Sequence, residues 1–112
     1  MANGDPRPHA VHAKSMDGYL LQLVAIRSHN DELRTRFRGG TVSVSDEVKE
    51  LGDIVVAHAL VAMAEATAFD DAEHKSGRFV FCARLFRWSI AYGESRNPAN
   101  TKITRRELRL SL

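Results

Sequence analysis

The chain has 112 residues, enough for one domain with one hydrophobic core. Hydrophobic residues make up 44% and charged residues 27%, which excludes a fibrous repeat or wholesale disorder. The single cysteine, Cys82, excludes an intrachain disulfide, and the longest apolar run, 54–64, is shorter than the roughly 20 residues of a membrane-spanning helix. We therefore expect a soluble protein of a reducing, intracellular compartment, with no membrane contact.

The charged residues are distributed unevenly along the chain. The net charge is +2, but residues 41–74 hold eight acidic residues and one lysine, whereas residues 75–112 hold nine basic and two acidic residues. This asymmetry indicates one of two arrangements. The last third forms a basic surface for a polyanion, or the two regions neutralise each other inside the fold.

The first helix is predicted in the N-terminal third. Residues 1–14 contain two prolines and few large apolar side chains, so we expect a flexible leader before a single helical domain over 15–112. From Ser15, apolar residues recur at helical spacing to about His29. The helix ends either at Asn30-Asp31 or further on at Gly39-Gly40.

Three arginines, Arg34, Arg36 and Arg38, stand just before the two glycines. Guanidinium groups supply forked donors and glycines allow close approach, so the segment could form a loop that contacts phosphates. The same pattern is typical of a solvated helix end, where arginines favour the negative pole of the helix dipole.

A long central helix is predicted from Ser45 to about Asp71. Ser45, or alternatively Ser43, is a suitable N-cap, and acidic residues follow it in the first turn. Between residues 54 and 64 apolar side chains occupy nearly every face, which is typical of a helix buried on all sides. In so short a chain we expect a helical partner or a second copy to cover it. The predicted interface residues are Val48, Leu51, Val55, Ala59, Leu60 and Met63.

Two further helices are predicted towards the C-terminus. The segment from Arg78 to Gly93 holds five of the eight aromatic residues at helical spacing, and it serves either core packing or an arginine-aromatic platform for nucleic acid. After a loop at Asn97-Pro98, Thr104 and Glu107 form a capping box for a short last helix.

No catalytic or cofactor-binding motif is present. His58 would need a second ligand three or four positions on, where Val61 and Ala62 stand instead, and Cys82 lies among apolar neighbours. We therefore expect a non-enzymatic protein without a cofactor or a metal.

The predicted order of elements resembles the histone fold. Residues 44–48 open the long helix, residues 62–66 close it, and residues 102–108 are similar to the second loop and third helix of core histones and histone-fold transcription subunits. The resemblance implies an all-α fold of four helices, with the aromatic helix as an insertion between about residues 71 and 98. A small helical bundle is the alternative fold.

The resemblance also implies a function. Histone-fold subunits heterodimerise and present two loops to the DNA backbone, in chromatin or a transcription complex, which would place this chain in the nucleus. The implied DNA-contacting residues are Arg34, Arg36, Arg38, Lys102, Arg105 and Arg106. The alternative is an accessory subunit of a large organellar or viral assembly with no nucleic-acid role.

Overall fold

The computed structural model describes residues 7–94 and 103–112, with the side chains of residues 18–93, 103 and 105–112. Three helices and four strands form one layer of helices packed on one sheet. The elements are α1 (Arg7–Arg36), β1 (Thr41–Val44), α2 (Asp46–Lys49), α3 (Asp53–Glu65), β2 (Ser76–Phe81), β3 (Arg84–Glu94) and β4 (Ile103–Ser111).

The sheet has the strand order β1-β4-β3-β2. β1 runs parallel to β4, with Val42 opposite Leu108, whereas β4, β3 and β2 pair antiparallel. One sheet face carries Trp88, Phe86 and Leu110, which are buried against Leu33 of α1 and Met63 of α3. The helices therefore cover one face of the sheet and leave the other face to solvent.

The prediction of an all-α fold was wrong, and the aromatic segment shows why. Residues 78–93 form the hairpin of β2 and β3, in which Phe86, Trp88 and Ile90 are buried and the alternate Arg87 and Ser89 are exposed. Side chains of a strand alternate between faces, so an inward-facing series spaced by two residues gives a strand. The same aromatic residues also fit spacings of three and four, which is the pattern of a helix.

The predicted last helix was wrong for the same reason. Residues 103–111 form β4, in which Leu108 and Leu110 are buried while Glu107 and Arg109 are exposed. β4 lies between β1 and β3, and its backbone groups bond to both neighbours. Tertiary pairing therefore overrides the local capping-box pattern at Thr104 and Glu107.

The predicted long central helix was also wrong, although its start was located correctly. Ser45 is the N-cap of α2, and its hydroxyl accepts a hydrogen bond from the amide of Val48 at 3.3 Å. Four residues later the helix stops, because Gly52 has a φ of 99°, which only glycine adopts readily, and α3 begins at Asp53. A split helix that packs on a sheet is neither the predicted histone fold nor a small helical bundle.

The helix α3 is not buried on all sides. Ala59 and Met63 face the sheet, whereas Ile54 and Val61 are 74% and 54% exposed. Of the six predicted interface residues, Val48, Ala59 and Met63 are buried in the core of the same chain, and Leu51, Val55 and Leu60 are partly buried.

The N-terminal helix begins earlier than predicted and follows the longer of the two alternatives predicted for its end. α1 begins at Arg7, inside the expected leader, and continues past Asn30 to Arg36. Phe37 follows with a φ of 57° and its amide donates to the carbonyl of Leu33 at 2.9 Å, which closes the helix. Within the described residues no helix is long and apolar enough to cross a membrane.

Candidate functional site

The sheet face that points away from the helices is a polar and basic surface, which we call the outer face. It consists of the alternate residues of the four strands, and nearly all of them are exposed. Its members are Ser43, Ser76, Arg78, Val80, Leu85, Arg87, Ser89, Ala91, Arg105, Glu107, Arg109 and Ser111.

The strand register brings three arginines of the outer face together. Arg78 of β2 lies directly opposite Arg87 of β3, and Arg109 of β4 lies opposite Ser89, one step diagonally from Arg87. Like charges directly opposite each other on neighbouring strands destabilise a sheet. The pairing of Arg78 with Arg87 therefore does not contribute to the stability of the sheet.

Among the described residues, two of the four arginines on the outer face have no counter-charge. Arg78 Nε lies 3.6 Å from Asp70 Oδ1, and Arg105 Nε lies 3.3 Å from Glu107 Oε2. Arg87 and Arg109 form no ion pair within the part of the chain that the structure describes. Two exposed guanidinium groups are consequently available to an anionic ligand.

A shallow groove of about 410 Å³ runs across the outer face at the paired arginines. Forked guanidinium donors combined with hydroxyl groups suit a phosphate or a carboxylate, which accepts several hydrogen bonds at once. The polar residues that line the groove are Asp70, Ser76, Arg78, Arg87, Ser89 and Ser111.

The residues that the sequence suggested for DNA contact are scattered in the structure. Arg34 is buried, and Arg106 is half-buried with its Nε donating to Asn30 Oδ1 at 2.8 Å. Arg36 and Arg38 are exposed at the end of α1, where Arg36 pairs with Glu32 at 3.6 Å. Lys102 lies outside the described residues.

Of the five predicted residues that the structure describes, only Arg105 belongs to the outer face. Sequence reasoning missed Arg78, Arg87 and Arg109 as members of one surface. A signal was available in the alternation of Arg87, Ser89 and Ala91 with large apolar residues, which is typical of a strand with one solvated face.

A second group of polar side chains lies between α1 and the sheet. Asn30 is fully buried and its Nδ2 donates to the hydroxyl of Tyr92 at 2.7 Å and to the carbonyl of Glu73 at 2.9 Å. The Tyr92 hydroxyl donates in turn to Glu73 Oε1 at 2.9 Å, and the guanidinium of Arg106 lies over the Tyr92 ring. Burial is the main reason that the pKa of Tyr92 rises to about 12.

Arg34 joins α1 to the end of α3. Its Nη1 donates to the carbonyls of Met63, Ala64 and Ala66 at 2.8–3.0 Å, at the C-terminal end of α3. The Met63 carbonyl also accepts a hydrogen bond from the amide of Ala66 at 3.2 Å. Burial lowers the pKa of the Arg34 guanidinium, and the neighbouring Asp31 opposes that shift. Arg34 is therefore a structural clamp in this fold.

The loop before β2 contains a histidine and a carboxylate in contact. His74 Nδ1 lies 2.9 Å from Asp31 Oδ1, and the His74 ring stacks on Phe69 with a centroid distance of 3.6 Å. Asp71 accepts hydrogen bonds from the amides of Glu73, Lys75 and Ser76, which fixes the loop. The contact between His74 and Asp31 ties the loop to α1. His74 therefore has a structural role in this loop.

Metal-binding geometry is not found among the residues that can be described. No three His, Cys, Asp or Glu side chains come together there as a possible ligand set. His58 is exposed on α3, and Cys82 is exposed at the tip of the hairpin between β2 and β3.

Comparison of the chain with protein-family models, with curated proteins and with solved structures found no match. The comparisons therefore leave the suggested family relationship untested.

Proposed function

We propose that the chain is a non-enzymatic protein that binds the phosphate backbone of duplex DNA through the outer face of its sheet. The observation that carries the proposal is the pair Arg87 and Arg109, which are exposed on an uncovered sheet face without an ion pair among the described residues. Neutralised phosphates are the largest source of affinity for proteins that bind DNA without reading its sequence.

The charge of the outer face supports this proposal. Within the described ranges, the four arginines on the face are balanced by two carboxylates, Glu107 and Asp70 at its margin. A phosphate placed between Arg78 and Arg87 would turn their mutual repulsion into two attractions. The serine hydroxyls beside them add neutral donors of the kind that commonly contact phosphate oxygens.

The position of the aromatic side chains favours the backbone over the bases. Phe79, Phe81, Phe86, Trp88 and Tyr92, the aromatic residues of β2 and β3, all lie on the inner face of the sheet. Proteins that hold single strands stack bases on exposed aromatic rings, and these strands offer none on the outer face. We therefore expect binding that is insensitive to sequence and prefers duplex to single-stranded DNA.

A salt titration with a labelled random duplex tests the proposal. Fluorescence anisotropy should show binding at about 50 mM salt and a linear fall of log affinity with log salt concentration. In the double variant Arg87→Gln/Arg109→Gln, the slope should be smaller by about 2, because each lost phosphate contact removes about 0.9. Affinity at low salt should fall at least about tenfold.

The matched control is Arg36→Gln/Arg38→Gln, which removes the same charge from exposed positions at and just after the end of α1. We expect this control to keep nearly the wild-type slope. Equal losses in both double variants would mean that net charge alone drives binding, and the outer face would not be the site. Absence of binding at low salt would instead favour the alternative function, a subunit of a larger assembly with no nucleic-acid role.

A further inference from the structure

The outer face contains a short sequence pattern that occurs twice. Residues 87–89 of β3 read Arg-Trp-Ser and residues 109–111 of β4 read Arg-Leu-Ser. Alternate residues of a strand point to the same face, so both arginines and both serines lie on the outer face. The middle residues, Trp88 and Leu110, are buried on the inner face.

The antiparallel register brings the two patterns together. Arg87 lies directly opposite Ser111, and Ser89 lies directly opposite Arg109. The arginines therefore occupy one diagonal and the serines the other, and we call these four residues the arginine-serine square. In such a pair of strands, opposite Cβ atoms lie about 4.5–5.5 Å apart and diagonal neighbours about 7–8 Å apart. All four side chains can consequently reach one small ligand at the centre of the square.

The donors of the square are largely free to bind a ligand. Within the residues that the structure describes, Arg87 and Arg109 form no ion pair and the Ser89 hydroxyl forms no hydrogen bond. The Ser111 hydroxyl donates to the carbonyl of Arg87 at 3.5 Å, which is a long and weak hydrogen bond. β3 and β4 are the two central strands of the sheet, and such elements position side chains more precisely than loops do.

The donor set of the square fits a phosphate monoester group. Each guanidinium offers a fork of N–H donors, and each serine adds a hydroxyl. A phosphate monoester has three free oxygens and a charge of about −1.5 to −2, which suits two unpaired arginines. A diester of the DNA backbone has two free oxygens and a single negative charge. A carboxylate has two oxygens in one plane, which leaves donors of the square unused.

We propose that the arginine-serine square is a binding site for one phosphate monoester group and prefers it to a phosphate diester. The group comes either from the end of a DNA chain or from free phosphate. The proposal deepens the proposed function, on which its account of DNA ends rests. A terminal phosphate in the square leaves Arg78, on the neighbouring strand β2, for a backbone phosphate of the same duplex.

NMR titrations with monomethyl phosphate and dimethyl phosphate test the preference. The amide resonances of Ser89 and Ser111 report on binding to the full chain. We expect a Kd of about 1 mM for monomethyl phosphate and a Kd at least about tenfold higher for dimethyl phosphate. Equal affinities for the two phosphates, or binding of neither at the square, would overturn the proposal.

The variant Ser89→Ala/Ser111→Ala keeps the charge of the square and removes its hydroxyls. Its affinity for monomethyl phosphate should fall at least about fivefold. The matched control is Ser28→Ala/Thr35→Ala, which removes two exposed hydroxyls from α1 and should bind like the wild type. Wild-type affinity in the square variant, or an equal loss in the control, would overturn the assignment of the hydroxyls to the site.

A short blunt duplex, with or without terminal phosphates, distinguishes the two sources of the group. Fluorescence anisotropy should show at least about fivefold tighter binding of the phosphorylated duplex, and the square variant should lose this difference. Equal binding of the two duplexes, together with the expected preference for monomethyl phosphate, would support the site and assign it to free phosphate. Absence of duplex binding with that preference intact would overturn the proposed function alone. Duplex binding without that preference would overturn the present proposal alone.

Discussion

Arg34 differs from the neighbouring arginines in its environment and its role. It stands in a run of alternating arginines, yet it alone of the three is buried, and its guanidinium lies over the rings of Phe69 and Trp88. The three carbonyls that it binds lie at the C-terminal end of α3, where the helix dipole is negative. One side chain therefore satisfies a helix end that has no basic residue of its own in its last turn.

Replacement of Arg34 by lysine should destabilise the fold although the charge is kept. A lysine ammonium has no second nitrogen to replace Nη2, which lies 3.6 Å from Asp31 Oδ1, and no planar group to lie over the rings of Phe69 and Trp88. We expect a loss of about 2 kcal/mol or more in the free energy of unfolding, measured by urea denaturation. The control Arg36→Lys, at an exposed position, should change stability by less than about 0.5 kcal/mol, and equal effects of the two variants would contradict the clamp.

Tyr92 gives the protein a definite response to alkaline pH. Burial raises the pKa of Tyr92 to about 12 in the folded state, whereas an unperturbed tyrosine has a pKa of about 10. The fold favours the protonated phenol, so its contribution to stability is complete below about pH 10 and is lost as the pH rises through about 12.

The chain has two tyrosines, so the variant Tyr19→Phe leaves Tyr92 as the single phenol. Its tyrosinate absorbance should appear about two pH units higher in the folded protein than in urea. Ionisation near pH 10 in both states would show that Tyr92 is not held in the cluster with Asn30 and Glu73.

The hairpin between β2 and β3 is an element whose turn carries no sequence signal. Cys82 and Ala83 both have positive φ values, 52° and 58°, as a two-residue type I′ turn requires. Asn-Gly or Asp-Gly would have indicated this turn, because those residues adopt positive φ at little cost. Without that signal, the aromatic residues on either side are read as one continuous helix.

Replacement of Ala83 by glycine should stabilise the hairpin. Left-handed backbone costs an alanine about 1–2 kcal/mol, and part of the gain is offset by the greater freedom of glycine in the unfolded chain. We expect a net gain of about 0.5 kcal/mol in urea denaturation. Ala57→Gly in the middle of α3 should have the opposite sign, with a loss of about 1 kcal/mol. A loss in both variants would mean that residue 83 is not left-handed in solution.

Elements with local signals were predicted well, and elements that depend on distant pairing were not. The cap at Ser45 and the continuation of α1 towards Gly39 follow from neighbouring residues, and the structure contains both. β4 exists because its backbone bonds to β1 and β3, which lie far away in sequence, and no local pattern reports that. Gly52 was not predicted to stop the helix, because the apolar residues on both sides of it fit one continuous helix.

At the scale of the whole molecule, the charge asymmetry was the most informative feature of the sequence. The basic last third forms all three strands that bring arginines to the outer face, β2, β3 and β4. Which arginines meet could not be predicted, because that depends on strand parity: Arg105 and Arg109 face outward while Arg106, between them, turns to the interior and bonds to Asn30.

Arg87 should favour the proposed DNA binding but lower the stability of the fold. Removal of one member of the like-charged pair in Arg87→Gln should raise the free energy of unfolding by about 0.2–1 kcal/mol in low salt without DNA. The gain should shrink at about 1 M salt, where repulsion is screened. Urea denaturation at both salt concentrations measures it, and Arg36→Gln should show no gain because Arg36 pairs with Glu32. A gain that is independent of salt would mean that repulsion from Arg78 is not its cause.

The position of β4 inside the sheet has a consequence for biosynthesis. β1 is made early, but its partner strand is β4, some 65 residues further along the chain, as Val42 and Leu108 show. On the ribosome β1 therefore has no strand to pair with, and the hairpin of β2 and β3 exposes the edge that β4 will later occupy. Non-local pairing of this kind is slow and leaves unpaired edges open to aggregation. The nascent chain must remain in this incomplete state until residue 111 has left the exit tunnel.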